Sequence, residues 1–420
     1  MKSLLISISL FLLISSSAAA KYGINFDTLS CYRADISTFT SVFFKEDLKE
    51  KFHSVKVINP KTKENLKFHY LDSLNNTQSG LWLFLFAGIG SSSKSIHSKK
   101  LSFFIRQSGY KGNILLIPSV FRADFVKSFS TNGIVGNIPK DAQDLGAAIE
   151  LVIKSLKNKE NKRFSKIHYL GFSLGALTAA HLAAHNKNLN KANAPAKVFL
   201  MNSPVDLFKS LSGLDRMSSH QVSVFETAGL SSSFVSGQLK ESIQEKAEEV
   251  FCKLKEYSPQ KIESFVATNL VSMAGNVFYQ GQRRTSTGFF EDRLGELPDS
   301  ADRNEKRRYW RQAKILASKL SFLEYVQYAV IPSINSNQEN STVEQINARV
   351  SMRGLESTFR KFQKDFYLIH STDDFLLSSY SEFSKYRDYF LQENSFVVDR
   401  GGHLGLLQNT NAISFIEENL

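Results

Sequence analysis

The chain has 420 residues, of which 42% are hydrophobic and 22% are charged. This composition provides a large buried core and excludes an intrinsically disordered protein. The net charge is +12, but the basic residues are spread over the whole chain and form no recognisable nucleic-acid-binding module. We therefore expect a generally basic, solvated surface and no nucleic-acid partner.

The first 20 residues have the features of an export signal. Lys2 supplies a positive start, residues 4–14 are mostly apolar, and the segment ends in Ala18-Ala19-Ala20, which suits signal peptidase. The apolar run is too short for an ordinary membrane span, although an uncleaved N-terminal anchor is the alternative. We therefore predict an extracytoplasmic protein, either periplasmic or secreted.

The chain contains two cysteines, Cys31 and Cys252. In an oxidising compartment they could form a disulfide between the start of the mature chain and its middle. The alternative is two unrelated buried thiols, and both readings stay open because the sequence does not give their separation in space.

Residues 21–206 have the pattern of an α/β domain. Two short strands separated by an Asn-Pro turn predict a hairpin, and continuous apolar runs predict strands buried on both faces of a sheet. Helical spacing occurs between these runs, and such alternation indicates a mostly parallel sheet. The predicted strands are 54–58, 66–71, 81–86, 113–118, 166–170 and 197–201, and the predicted helices are 141–156 and 174–184.

The alternation stops after this domain, and residues 207–364 carry helical patterns that predict a cap or lid insertion. Residues 365–420 return to the first pattern and predict the second part of the α/β core. The predicted cap elements are an apolar helical stripe within 239–254, a helix from Pro259 to Gly275, a helix over 309–328 and a loop over 331–342; the predicted core elements are strands at 366–369 and 395–398 and a helix at 412–420.

The segment Gly171-Phe172-Ser173-Leu174-Gly175 lies where a strand should turn into a helix. A Gly-x-Ser-x-Gly sequence in that position is typical of a nucleophile elbow, in which a strained turn exposes a reactive serine. The backbone N–H of Leu174 would then be free to stabilise an oxyanion. The alternative is an ordinary glycine-rich turn.

A serine hydroxyl needs a base to take its proton, and His403 in Gly401-Gly402-His403-Leu404-Gly405 is the best candidate. His168, His181 and His185 are better explained as packing or surface residues, and His370 could support the site. An acid must orient the base, and Asp374 is favoured over its neighbour Asp373, which we expect to form a turn.

The segment Ala87-Gly88-Ile89-Gly90 follows a predicted strand, and the backbone N–H of Ile89 is the expected second oxyanion donor. A plain glycine turn is the alternative. No histidine–carboxylate cluster has metal-ligand spacing, so we expect neither a metal nor another cofactor.

From about residue 54 to its end, the sequence resembles the α/β-hydrolase superfamily, and within it the bacterial hydrolases of the YheT-like group. The resemblance depends on Gly171–Gly175, residues 202–207, Asp373-Asp374 and Gly401–Gly405. It implies an α/β-hydrolase fold and the chain order Ser173, Asp374, His403. Ala87-Gly88 stands where most members have His-Gly, and the insertion and the export signal also depart from that group.

These observations predict an esterase- or lipase-like serine hydrolase that acts on a small-molecule or lipid ester. A thioesterase, a peptidase or an acyltransferase could use the same residues, and a non-catalytic binding protein could retain the fold. The basic segment 304–320 could contact an anionic membrane surface, although a solvated helix face is the more common role of such a segment.

Overall fold

The computed structural model describes residues 24–43, 51–74, 80–218, 252, 255, 258–285, 289–336, 340–377 and 380–420. The predicted export signal lies outside the described residues. The apolar stripe predicted to form a helix within 239–254 also lies outside them, except for Cys252.

The described part of the chain contains an eight-stranded sheet in the order β1-β2-β4-β3-β5-β6-β7-β8. β1 and β2 form the predicted hairpin and β2 pairs with β4 in antiparallel fashion, whereas every other neighbouring pair is parallel. The predicted mostly parallel sheet is therefore confirmed. The strands are β1 His53–Ile58, β2 Asn65–Leu71, β3 Leu81–Phe86, β4 Asn113–Ile117, β5 Lys166–Phe172, β6 Lys197–Met201, β7 Phe366–Ser371 and β8 Ser395–Val398.

The burial of the strands follows their position in the sheet. β4 and β7 are buried along their whole length, because helices cover both faces of the sheet there. β1 lies at the edge, where buried Val55 and Val57 alternate with exposed Lys56. The continuous apolar runs of the sequence therefore mark the interior strands.

Helices lie on both faces of the sheet and between β6 and β7. The helices Ile138–Glu160 and Leu174–Asn188 pack together over one face, while the helices Ile96–Ser108 and Thr410–Asn419 pack together over the other. The helices are α1 Ala34–Phe43, α2 Ile96–Ser108, α3 Ala123–Ser128, α4 Ile138–Glu160, α5 Leu174–Asn188, α6 Leu207–Ser218, α7 Pro259–Thr285, α8 Glu291–Leu294, α9 Arg303–Ala317, α10 Phe322–Tyr325, α11 Ile331–Asn335, α12 Val343–Val350, α13 Glu356–Lys361, α14 Tyr380–Arg387, α15 Gly402–Gly405 and α16 Thr410–Asn419.

Three predictions between β6 and β7 were wrong at their boundaries. The helix that begins at Pro259 does not end at Gly275 but continues to Thr285. A side chain at Gly275 would overlap the backbone of Ala317, so this glycine allows α7 and α9 to approach closely and does not end a helix.

The single helix predicted over 309–328 is also wrong. α9 begins earlier because Asp302 and Glu305 form a capping box, and a second capping box from Ser321 starts α10 after a break. A π-helical turn at Val326–Val330 then leads into α11, so the predicted loop 331–342 begins as helix.

Cys31 and Cys252 form a disulfide that spans 221 residues. It joins the segment that precedes α1 to the cap region ahead of α7.

In the described part of the chain, no helix combines the length and the apolar character that a bilayer span requires.

Replacing both cysteines in Cys31→Ser/Cys252→Ser should lower the free energy of unfolding. A cross-link over so long a loop removes entropy from the unfolded chain, so the loss should be about 2–5 kcal/mol. Urea unfolding of the variant and the wild-type protein would measure it. An unchanged free energy of unfolding would show that the cross-link adds nothing to stability.

Candidate active site

Ser173 stands on the sharp turn between β5 and α5. Its backbone has φ 54° and ψ −133°, a conformation that a residue with a side chain rarely adopts. Such strain persists only where the surrounding structure holds it. The turn projects the serine at the carboxyl edge of the parallel sheet, as the predicted elbow requires.

The glycines on either side make this turn possible. A Cβ atom on Gly171 would lie 2.5 Å from the carbonyl oxygen of Gly175, and one on Gly175 would overlap the carbonyl oxygen of Phe86. The start of α5 therefore passes so close to β3 and β5 that neither position accepts a side chain. This is the physical origin of the Gly-x-Ser-x-Gly pattern here.

The structure brings together the three side chains singled out in the sequence. His403 Nε2 lies 2.8 Å from Ser173 Oγ, while His403 Nδ1 lies 2.9 Å and 3.1 Å from the two carboxylate oxygens of Asp374. All three residues are buried. They form one hydrogen-bonded chain from carboxylate to imidazole to hydroxyl.

The two adjacent aspartates have different partners. Asp374 faces the imidazole of His403 and accepts a hydrogen bond from the backbone N–H of Leu376 at 2.8 Å. Asp373 points the other way, where it accepts hydrogen bonds from the backbone N–H of Gly402 and from the hydroxyl of Tyr32. Asp374 is thus the aspartate in contact with His403.

Asp374 is held in its ionised form. Burial by itself raises the pKa of this carboxyl, but the opposite charge of His403 and the hydrogen bond from its ring outweigh burial and leave the pKa below its ordinary value. A carboxylate that stays ionised can keep the Nδ1–H tautomer of the imidazole and favour a positive charge on it.

The other histidines discussed in the sequence do not contact Ser173. Burial lowers the pKa of both His168 and His181 to about 4, so these rings are neutral packing residues of β5 and α5. Burial also lowers the pKa of His370, whose Nδ1 lies 2.9 Å from the carbonyl oxygen of Ser371. His370 thus supports the strand end beneath the site.

Ile89 and Leu174 both line the pocket beside Ser173. The loop that carries Ile89 passes close to the serine, since a Cβ atom on Gly88 would lie 3.3 Å from Ser173 Cβ. Ala87 anchors this loop by donating a hydrogen bond to the carbonyl oxygen of Ile117 at 3.1 Å. Ile89 and Leu174, whose backbone N–H groups the sequence singles out, are therefore both pocket-lining residues near Ser173.

The pocket in front of Ser173 contains about 630 Å³ of empty space, part of it open to solvent. Ser210 and Tyr325 are polar, but each hydroxyl donates to a backbone carbonyl, that of Leu376 and that of Val135 respectively. Among the described residues, no lysine, arginine, aspartate or glutamate lines the pocket. The other lining residues are mostly aliphatic and aromatic, and include Phe121, Ile138, Leu207, Phe208, Leu211, Leu214, Leu270, Val326 and Val330.

Helices from the segment between β6 and β7 supply much of this apolar wall. Leu207, Leu211 and Leu214 project from one face of α6, and Leu270 reaches the pocket from α7. Helical periodicity predicted α7 but named no separate helix at α6, and it could not show which apolar faces meet the serine. Within the residues that the structure describes, no group of histidine, cysteine and acidic side chains is arranged to hold a metal ion.

Sequence reasoning missed the N-terminal contacts of the site. Tyr32 contacts Asp373, and Thr38 contacts the backbone of His403. Neither residue lies in a recognisable motif. The nearby signal in the sequence was Cys31, whose pairing with Cys252 the sequence left open.

Solved structures similar to this chain include an esterase of Pyrococcus furiosus, with 13% identity and a TM-score of 0.41 over 90% of this chain and 95% of the esterase. A membrane phospholipase A described as a bacterial virulence factor has 14% identity and a TM-score of 0.40 over 100% of this chain and 99% of that one. The proline iminopeptidase of Mycobacterium smegmatis has 12% identity and a TM-score of 0.41 over 87% and 98%.

These proteins differ in substrate, so the likeness does not select a substrate class. No protein-family model matches the sequence, and no curated protein is detectably similar to it. The likeness to the YheT-like group stays a prediction. The parallel sheet, the strained serine between β5 and α5 and the chain order of serine, aspartate and histidine show that the protein has the α/β-hydrolase fold.

Proposed function

We propose that the protein is an exported serine hydrolase that cleaves carboxylic esters through an acyl-enzyme on Ser173. The observation that carries the proposal is the buried hydrogen-bonded chain from Asp374 through His403 to Ser173. A nucleophile, a base and an acid that orients the base are the groups that acyl transfer requires.

In the first half of the reaction, His403 Nε2 takes the proton of Ser173 Oγ while that oxygen attacks the ester carbonyl carbon. The carbonyl π electrons move to the oxygen, and the backbone N–H groups of Leu174 and Ile89 donate hydrogen bonds to the resulting oxyanion. The tetrahedral intermediate then expels the alcohol, which receives the proton from His403. Water repeats the sequence, releases the acid and restores Ser173.

The apolar pocket supports an uncharged, hydrocarbon-rich acyl or alkyl group on a small-molecule or lipid ester. A free amine or carboxylate on the substrate would find no charged side chain among the described residues that line the pocket. This favours esters over peptides recognised by a charged terminus. Thioester hydrolysis and acyl transfer use the same groups and are the alternative activities. The non-catalytic alternative is a binding protein that retains the fold.

The Cys31–Cys252 disulfide supports export, because disulfides persist mainly in oxidising compartments. α9 packs against α7, with Tyr309, Ala313 and Ala317 buried, and its basic residues are exposed. That placement suits a solvated helix face as well as a membrane-facing one, so contact with an anionic membrane stays a prediction.

A fluorophosphonate should label the wild-type protein covalently at Ser173 and should not label Ser173→Ala. The reagent requires an activated serine but no knowledge of the substrate. Gel fluorescence and peptide mass mapping would measure the labelling. If the folded wild-type protein stays unlabelled when the cap is also shortened, the non-catalytic alternative replaces the proposal.

The adjacent aspartates provide a matched pair of variants. Asp374→Asn should lower kcat for ester hydrolysis by about 10³–10⁴, because an amide cannot hold the required tautomer of His403 or stabilise its charge. Asp373→Asn should lower kcat far less, since an amide oxygen still accepts from Gly402. Equal losses in the two variants would contradict the role assigned to Asp374.

Leu211→Trp should narrow the pocket and change the preferred acyl length. The selectivity for a p-nitrophenyl decanoate over the acetate, measured as a ratio of kcat/KM values, should fall about tenfold or more because the longer chain loses its space. Ile315→Trp is the control, because Ile315 lies exposed on the cap surface. An unchanged ratio in Leu211→Trp would place the acyl chain elsewhere.

A further inference from the structure

Residues 24–38 form an N-terminal arm that crosses the loop carrying His403. The backbone N–H of Ile24 donates to the carbonyl oxygen of Gln408 at 2.8 Å. Further along, the guanidinium of Arg400 donates to the carbonyl oxygens of Phe26 and Leu29 at 3.2 Å and 3.3 Å. The arm therefore contacts the loop both before and after His403.

The one-turn helix α15 carries His403 and lacks an N-cap side chain of its own, because Gly401 stands at the cap position. The first N–H groups of a helix have no partner within it and need one from elsewhere. Asp373 accepts from Gly402 at 2.8 Å, and Thr38 Oγ1 accepts from the backbone N–H of His403 at 2.9 Å. A residue of the arm thus supplies a cap that the local sequence cannot supply.

Other arm residues hold the start of α15. The hydroxyl of Tyr32 accepts from the backbone N–H of Gly401 at 2.6 Å and donates to Asp373, while Ser37 Oγ donates to the carbonyl oxygen of Gly401 at 2.6 Å. Gly402 has φ +60°, and a side chain there would overlap the backbone of Ala34. The arm and the loop are therefore in direct backbone contact.

We infer that Thr38 is a positioning residue for His403, and that the arm sets the place of the imidazole between Ser173 and Asp374. This inference rests on the proposed function. Thr38 is fully buried, so removing its hydroxyl leaves the His403 N–H without a partner and without access to water. A small displacement of the ring would lengthen the 2.8 Å contact with Ser173, and acyl transfer is sensitive to such a displacement.

The test compares Thr38→Val, which keeps the shape and removes the hydroxyl, with Thr38→Ser, which keeps the hydroxyl. Thr40→Val is the matched control: Thr40 is a buried threonine of the same helix, and its hydroxyl does not contact His403. That hydroxyl donates to the carbonyl oxygen of Ser37 and accepts from the side chain of Gln408 at 3.4 Å. Each variant is measured for the rate of fluorophosphonate labelling, for kcat and KM on an ester, and for its unfolding midpoint.

Thr38→Val should lower kcat and the labelling rate by about tenfold to a hundredfold with little change in KM, because the pocket is untouched while the base is misplaced. Thr38→Ser should recover most of that loss, and Thr40→Val should stay close to the wild-type protein. If Thr38→Val does not fold, Tyr32→Phe takes its place, with the same expected fall in kcat.

Three results would overturn the inference: wild-type kcat in folded Thr38→Val, an equal loss in Thr40→Val, or a loss that Thr38→Ser does not recover. If the wild-type protein is reactive and any of these three results is found, the inference fails and the proposed function is retained. An unreactive wild-type protein would overturn the proposed function and this inference together.

Discussion

The hydrogen bond between His403 and Ser173 is the interaction on which the rest of the site depends. The two residues are 230 positions apart in the chain, and their side chains meet at 2.8 Å. The parallel sheet makes this possible, because the carboxyl ends of β5, β7 and β8 lie at the same edge. Ser173 reaches this edge on a sharp turn with a strained backbone, and the close passage of α5 against β3 holds that turn in place.

The sheet and the three chemical side chains could be predicted because their signals are local. Continuous apolar runs mark interior strands, and the glycines on both sides of Ser173 mark a turn too crowded for side chains at those two positions. The cap boundaries were harder: Gly275 has the look of a helix end, yet it serves a contact with Ala317 that no local pattern reveals. Likewise, Thr38 has no motif, since its role exists only once α1 lies against α15.

A disulfide links the N-terminal arm to the segment ahead of α7. Cys31 immediately precedes Tyr32, which contacts the loop of His403. The disulfide partner of Cys31, Cys252, precedes α7 in the chain, and α7 lines the pocket through Leu270. The arm that contacts the loop of His403 and the segment leading into a pocket-lining helix are therefore joined by one cross-link. In an oxidising compartment this disulfide would persist and would keep the arm joined to the segment ahead of α7.

Rapid acid quenching of an ester reaction followed by intact-protein mass spectrometry tests the central claim most directly. The account predicts that the wild-type protein gains the mass of one acyl group, that the acyl group maps to the peptide containing Ser173, and that Ser173→Ala shows neither the adduct nor ester turnover. Ester turnover at the wild-type rate in Ser173→Ala would contradict the account, because the hydrolysis would then proceed without the nucleophile around which the site is built.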